Sequence, residues 1–168
     1  GLDQLNHFGH FGAPNDVKNA YWALRSRCPQ LPENMLERQQ FFGHKLGEAE
    51  SGWDFTPRYR DRCMDIYAVD LNALLFACES HIAEFMHILD DRNADKWTDT
   101  AEARRAPLNR FMRNPATAYT HAYASSLKQQ TPHLTPASYF ATLRGVPAQE
   151  PAEPTRARLE QNPGKHGH

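Results

Sequence analysis

Apolar residues recur at helical spacing along most of this 168-residue chain. The clearest pattern follows Asp70, a suitable N-cap, and repeats every three or four residues. Its members are Leu71, Leu74, Leu75, Cys78, Ile82, Phe85, Met86 and Leu89. This spacing predicts a long helix that buries one continuous stripe.

Shorter helical patterns lie on both sides of this helix. One helix is expected from Asp16 to Arg27, and a second from Pro32 to the glycines at 43 and 47. A third segment, Ala94 to Arg113, contains Pro107, which should kink or break it. A last short helix is expected after Pro136.

The predicted architecture is helical throughout, with roughly five or six helices and no convincing strand. Such a chain suits a bundle or an arc of a helical toroid. We expect one domain over residues 1–146. The tail 147–168 has four prolines and few apolar residues, so it is either disordered or the start of a truncated helix. Arg104 and Arg105 are interpreted as part of a solvated helix face.

Composition narrows the classes of partner. Hydrophobic residues make up 40% of the chain, charged residues 23%, and the formal net charge is −1, which gives no reason to expect nucleic acid or an anionic membrane. No apolar run approaches the roughly 18 residues of a membrane span. Three cysteines without CxxC spacing indicate neither a disulfide framework nor a zinc site, and no metal or cofactor is expected. The cysteine content slightly favours a cytoplasmic location of the protein, and a periplasmic or secreted location stays open.

Candidate chemistry is concentrated in the stretch from Glu48 to Tyr59, which holds three carboxylates, an arginine, a glycine and three aromatic rings. Sugar hydrolysis uses a proton donor beside stacking surfaces. Asp54 is flanked by Trp53 and Phe55, an apolar setting that would raise its pKa and suit a general acid.

Other carboxylates in or near this stretch are alternative acids, and the same string is also compatible with structural ion pairs among Glu50, Asp54 and Arg58. These alternatives are Glu48, Glu50, Asp61 and Asp65. Asn72, in the first turn of the long helix, either braces the loop or is simply exposed.

Three ordered motifs together resemble the α,α-trehalase family of inverting glycoside hydrolases. They are Ala49–Tyr59, Val69–Phe76 and Ala103–Phe111. The resemblance implies a six-fold α/α barrel, of which this chain matches roughly the central third. It also implies hydrolysis of an α-glucosidic bond, with Asp54 as general acid.

The remaining expected site residues take lesser roles from the same motifs. Gly52 matches a position whose backbone contacts the sugar, and Trp53 and Arg58 are expected to bind substrate. Glu50 and Asn72 are expected to support the site. The expected partners are a small carbohydrate and the missing helices of the barrel.

Departures from the family pattern limit this interpretation. The segment Gly12–Asp16 lacks the arginine and glutamate of the family's Arg-Pro-Glu-Ser motif. These 168 residues contain no counterpart of the family's glycine-rich signature or of its Gln-Trp-Asp signature. They also lack the downstream glutamate that serves as general base in the family. We therefore expect a partial, inactive chain. The alternatives are a related barrel glycosidase acting on another α-glucoside, and a non-catalytic helical sugar-binding or scaffold protein.

Overall fold

The structure is a computed structural model that describes residues 2–9, 34–53 and 56–147. By its internal contacts the chain divides into two compact units, which are described separately. The first unit comprises Gly1–Asn6, Ala68–Tyr123 and Lys128–His168, and the second comprises His7–Tyr67 and Ala124–Leu127. The helix predicted over 16–27 and the tail from 148 onward lie outside the described residues.

The main element of the second unit is helix α1, Met35–Ser51. The Asn34 side chain caps its first turn by accepting the Glu37 N–H at 3.1 Å. The predicted start at Pro32 lies outside the described residues. The predicted end near Gly47 is wrong, because α1 continues to Ser51, and Glu48 to Ser51 are therefore helical rather than part of a loop.

Gly47 has a packing role that explains this difference. A Cβ atom at Gly47 would lie 3.2 Å from the Phe8 carbonyl oxygen, so the glycine permits close approach of another backbone segment within this unit. After α1 and its loop, the unit continues with a 3₁₀ turn, Cys63–Asp65, and strand β1, Ile66–Tyr67. Phe42, Tyr59 and Cys63 are its most deeply buried side chains.

Helices α2, Val69–Ile88, and α3, Ala94–Pro107, form the largest part of the first unit. A π-helical turn, Leu108–Met112, follows Pro107 directly. The Arg113 N–H donates to the Leu108 carbonyl at 3.2 Å, five residues back. The predicted disturbance at Pro107 is thus observed as a change of helix type, since proline has no N–H to continue the α ladder.

The existence of α2 was predicted, but its buried face and its N-cap were not. The helix begins at Val69, so Asp70 lies within the first turn. The buried apolar residues of this helix are Phe76 and four small residues, Val69, Ala73, Ala77 and Ala83. Phe85 and Leu89 of the predicted stripe are 61% and 76% exposed. Small side chains on this buried face allow a neighbouring helix to approach closely.

The remaining elements are short. Strand β3, Gln129–Gln130, belongs to the first unit, and the unit boundary passes through strand β2, Tyr123–Ala124. The prediction of no strand is wrong, since the structure contains these short strands. A strand of two residues is too short to show an alternating pattern in the sequence. Helix α4, Ser138–Leu143, is followed by Gly145 at φ 71°, a left-handed conformation that glycine commonly adopts just after a helix. None of the described helices has the length and hydropathy needed to cross a membrane.

Candidate active site

The segment from Gly52 to Arg62, which we call the 52–62 loop, leaves the end of α1 through a left-handed glycine. Gly52 has φ 73°, and its N–H donates to the Ala49 carbonyl at 3.2 Å. Among the residues that the structure describes, none lies within 4 Å of the position of a Cβ on Gly52, so the backbone conformation rather than crowding requires glycine. The exposed backbone at Gly52 is compatible with its predicted sugar contact.

Two predicted substrate-binding residues lie in contact in this loop. The Arg58 guanidinium carbon is 4.7 Å from the centre of the Trp53 ring and 4.8 Å from that of the Tyr59 ring. Tyr59 is almost completely buried, so it anchors the stack in the second unit. Both distances suit cation–π attraction, which fixes the direction of the guanidinium plane.

Hydrogen bonds tie together the backbone on the two sides of residues 54 and 55. The Ser51 hydroxyl donates to the Glu48 carbonyl at 2.6 Å and accepts the Trp53 N–H at 3.1 Å. The Thr56 hydroxyl donates to the Trp53 carbonyl at 2.9 Å. Asp54 and Phe55 lie outside the described residues. The role of Asp54 as acid therefore stays a prediction.

Ion pairs with nearby cations involve the alternative carboxylates Glu48, Asp61 and Asp65. Glu48 is buried, with Oε2 3.1 Å from Lys45 Nζ, and Asp61 pairs with the same ammonium group. Asp65 accepts from Arg62 at 2.9 Å. A carboxylate committed to a neighbouring cation is a poor candidate for a group that must reach a substrate. Glu50 is exposed in the last turn of α1.

His44, on helix α1, contacts the chain just after the 52–62 loop. Its Nδ1 accepts the backbone N–H of Met64 at 3.1 Å, which requires the proton of the neutral ring to be on Nε2. Burial lowers the pKa of His44, and Arg62 adds to this effect, while the carboxylates of Asp65 and Asp61 oppose it. The neutral ring is therefore the form that the fold favours.

We expect this histidine to make the protein less stable in acid. The pKa of His44 is lower in the folded chain than its unfolded value of about 6.5, so below about pH 6.5 the unfolded state binds more protons and stability falls until the folded-state pKa is passed. Urea unfolding at about pH 7.5 and about pH 5.5 should show a smaller loss for His44→Gln than for the wild type. Equal losses in the two proteins would contradict this expectation.

Asn72 is fully buried in the first turn of α2, at 0% exposure, so the interpretation of an exposed polar residue is wrong. Its Nδ2 donates to the carbonyls of Asn6 and Ala68 at 2.7 and 2.8 Å, and its Oδ1 accepts the Asn6 N–H at 2.8 Å. Asn72 therefore holds the amino-terminal segment of its own unit.

Arg104, expected in a solvated face, is instead a buried part of the same cluster. Its Nε and Nη2 donate to the Glu79 carboxylate at 2.8 and 2.7 Å. Its Nη1 donates to the Gln4 carbonyl at 2.8 Å and to Asn6 Oδ1 at 2.7 Å. The sequence carried one signal for this cluster, since Glu79 falls among the alanines of the buried face of α2, where a carboxylate needs a cation.

Arg105 fits the original expectation better. It pairs with Glu102 at 2.6 Å on α3, where both side chains are partly exposed.

In the part of the chain that the structure describes, no group of three or more His, Cys, Asp or Glu side chains is arranged to hold a metal ion.

Sequence comparison relates the chain to sugar hydrolases. The sequence profile named Trehalase matches residues 19–163. The cytosolic neutral trehalase of Saccharomyces cerevisiae is 27% identical over 150 residues, which are 83% of this chain and 19% of that protein. The periplasmic trehalase of Citrobacter koseri is 30% identical over 165 residues, which are 86% of this chain and 29% of that protein.

Structural comparison agrees at the level of the fold. The neutral trehalase structure from Saccharomyces cerevisiae superposes with a TM-score of 0.70 at 19% identity, covering 95% of this chain and 34% of that one. This likeness confirms the predicted fold class, a partial α/α barrel. The chain thus spans about a third or less of the relatives that it matches.

Proposed function

Because this chain belongs to the trehalase family, we propose that it carries the general-acid half of the active site of a trehalase-like glycosidase. The proposed reaction of the full-length gene product is hydrolysis of α,α-trehalose to glucose with inversion. The observation that carries the proposal is the 52–62 loop, where the family motif coincides with a stacked Trp53–Arg58 pair.

In the proposed mechanism Asp54 gives its proton to the glycosidic oxygen as the bond from that oxygen to the anomeric carbon breaks. A water molecule bonds to the anomeric carbon from the opposite face and loses a proton to a second carboxylate. The family resemblance assigns that base to a segment without a counterpart in these 168 residues. Pairing of Glu48, Asp61 and Asp65 with cations supports Asp54 over these neighbours.

Substrate binding is proposed for three residues of the loop. An indole ring such as that of Trp53 suits the apolar face of a pyranose. Arg58, oriented by the rings on which it stacks, is suited to donate to sugar hydroxyls. The open backbone of Gly52 leaves room for a close ligand. Glu50 and Asn72 are also proposed to support the site.

The stereochemistry of the product tests the proposal. Inversion of α,α-trehalose by the full-length product should give one β-glucose and one α-glucose per turnover, as followed by proton NMR before mutarotation. Initial formation of α-glucose alone would contradict inversion. The 168-residue chain by itself should release no glucose, and release by it would contradict the assignment of the base to another segment.

A second candidate is a related barrel glycosidase that acts on another α-glucoside. The observation that favours it is the absence of arginine and glutamate from Gly12–Asp16, a segment outside the described residues. A panel of α-glucosides separates the two candidates. Sugar binding without any turnover would instead indicate a non-catalytic protein.

The named relatives are cytosolic in yeast and periplasmic in Citrobacter koseri, so family membership is compatible with both compartments.

A further inference from the structure

The 52–62 loop ends in an unfavourable backbone conformation. Arg60 and Asp61 have φ values of 48° and 58°, so two consecutive residues other than glycine are left-handed. L-amino acids avoid this region because Cβ comes too close to the following carbonyl oxygen. Such a pair persists only where surrounding contacts hold it in place.

Lys45 supplies a contact of this kind from helix α1. Its side chain is 12% exposed, and its Nζ donates to the buried Glu48 carboxylate at 3.1 Å and also pairs with Asp61. The same ammonium lies 5.8 Å from the centre of the Phe41 ring. Glu48 and Phe41 therefore fix the ammonium on the helix, and the ammonium in turn fixes Asp61.

The charge on Lys45 is secure in this position. Burial by itself would lower the pKa of Lys45, but hydrogen bonds to Asp61 and Glu48 and the charges of both carboxylates raise it above the usual value. The charged ammonium is therefore the form that this position favours. Next to it, His44 accepts the Met64 N–H, which secures the backbone just beyond the loop.

We propose that Lys45 is a positioning residue for the proton donor, holding the carboxyl-terminal end of the 52–62 loop through Asp61 while Gly52 sets the other end. This proposal rests on the proposed function of Asp54. It assigns to Lys45 no contact with the substrate. Loosening the Asp61 end of the loop would cost the proton donor part of the alignment on which proton transfer depends.

The structure also separates this role from a general contribution to stability. Asp61 is 56% exposed, and an ion pair with such a partner adds little to the free energy of unfolding. The pair between Lys45 and Glu48 lies within one helix and remains when Asp61 is changed. Asp61→Asn therefore releases the loop without removing a buried charge.

Hydrogen exchange of the 168-residue chain tests the link itself. Asp61→Asn and Lys45→Met should each make the amides from Thr56 to Arg62 exchange at least about tenfold faster, with other amides of α1 much less affected. Lys45→Arg should restore slow exchange, and Lys96→Met on the exposed side of α3 should have no effect. Unchanged exchange in Asp61→Asn would overturn the proposal, and this variant decides the matter if Lys45→Met does not fold.

Kinetics of the full-length product test the consequence. Asp61→Asn and Lys45→Met should lower kcat for trehalose by about tenfold to a hundredfold with KM changed by less than about threefold, and Lys45→Arg should recover most of kcat. A change confined to KM would overturn the positioning role. If the wild-type product does not hydrolyse trehalose, the proposed function fails, whereas the exchange experiment still decides whether Lys45 orders the loop.

Discussion

Asp54→Asn in the full-length gene product should lower kcat for trehalose by about 10²- to 10⁴-fold and leave KM within a few fold of the wild type. An amide side chain keeps the shape of the carboxyl group but has no acidic proton to give to the leaving oxygen. Binding of the ground state does not use that proton, so the loss should appear in kcat. Steady-state glucose release at matched protein concentrations measures it.

Two controls make this result specific. Asp99→Asn makes the same change on the exposed side of α3 and should leave kcat unchanged. An α-glucosyl fluoride should be hydrolysed by Asp54→Asn far better than trehalose is, because fluoride departs with little help from an acid. Near-normal turnover of trehalose by Asp54→Asn would exclude this residue as the acid, and equal losses on both substrates would indicate a structural role.

Breaking the buried pair between Arg104 and Glu79 should cause the largest loss of stability. Arg104→Met leaves the Glu79 carboxylate buried without its cation and removes the donors to Gln4 and Asn6. The free energy of unfolding should fall by about 3 to 5 kcal/mol. Urea unfolding of the 168-residue chain, followed by far-ultraviolet circular dichroism, measures the change.

The adjacent arginine offers a matched control. Arg105→Met removes the pair with Glu102, whose side chains are partly exposed, and should cost less than about 1 kcal/mol. The double variant Arg104→Met with Glu79→Leu should recover part of the loss, because it no longer buries a lone charge. Similar losses from Arg104→Met and Arg105→Met would contradict the buried role of Arg104.

Helix α2 shows how far the sequence predicts the fold. Its apolar spacing was sufficient to predict a long helix, because spacing depends on the helical period alone. The predicted buried face is wrong, because leucines dominate the hydrophobic pattern of this helix and Ala73 and Ala77 contribute little to it. Small residues carry little hydrophobic signal of their own, yet they decide where a neighbouring helix can approach.

The candidate site was predicted in its composition but not in its contacts. The residue types from Glu48 to Tyr59 led to the prediction of sugar chemistry, with structural ion pairs as the alternative, and the contact of Arg58 with Trp53 is a short-range one within that stretch. By contrast, the pairs of Lys45 with Asp61 and of Arg104 with Glu79 join residues far apart in sequence. No spacing rule predicts such pairs, since they depend on the tertiary fold.

The stacking of Arg58 between Trp53 and Tyr59 also affects the thermodynamics of ligand binding. A free arginine side chain loses about 2 kcal/mol of rotamer entropy when it is immobilised. Here much of that loss accompanies folding, since the guanidinium lies against both rings. In the proposed complex a sugar hydroxyl that accepts from this guanidinium would meet a preorganised donor, so the proposed affinity of the loop for a sugar would be determined partly when the chain folds.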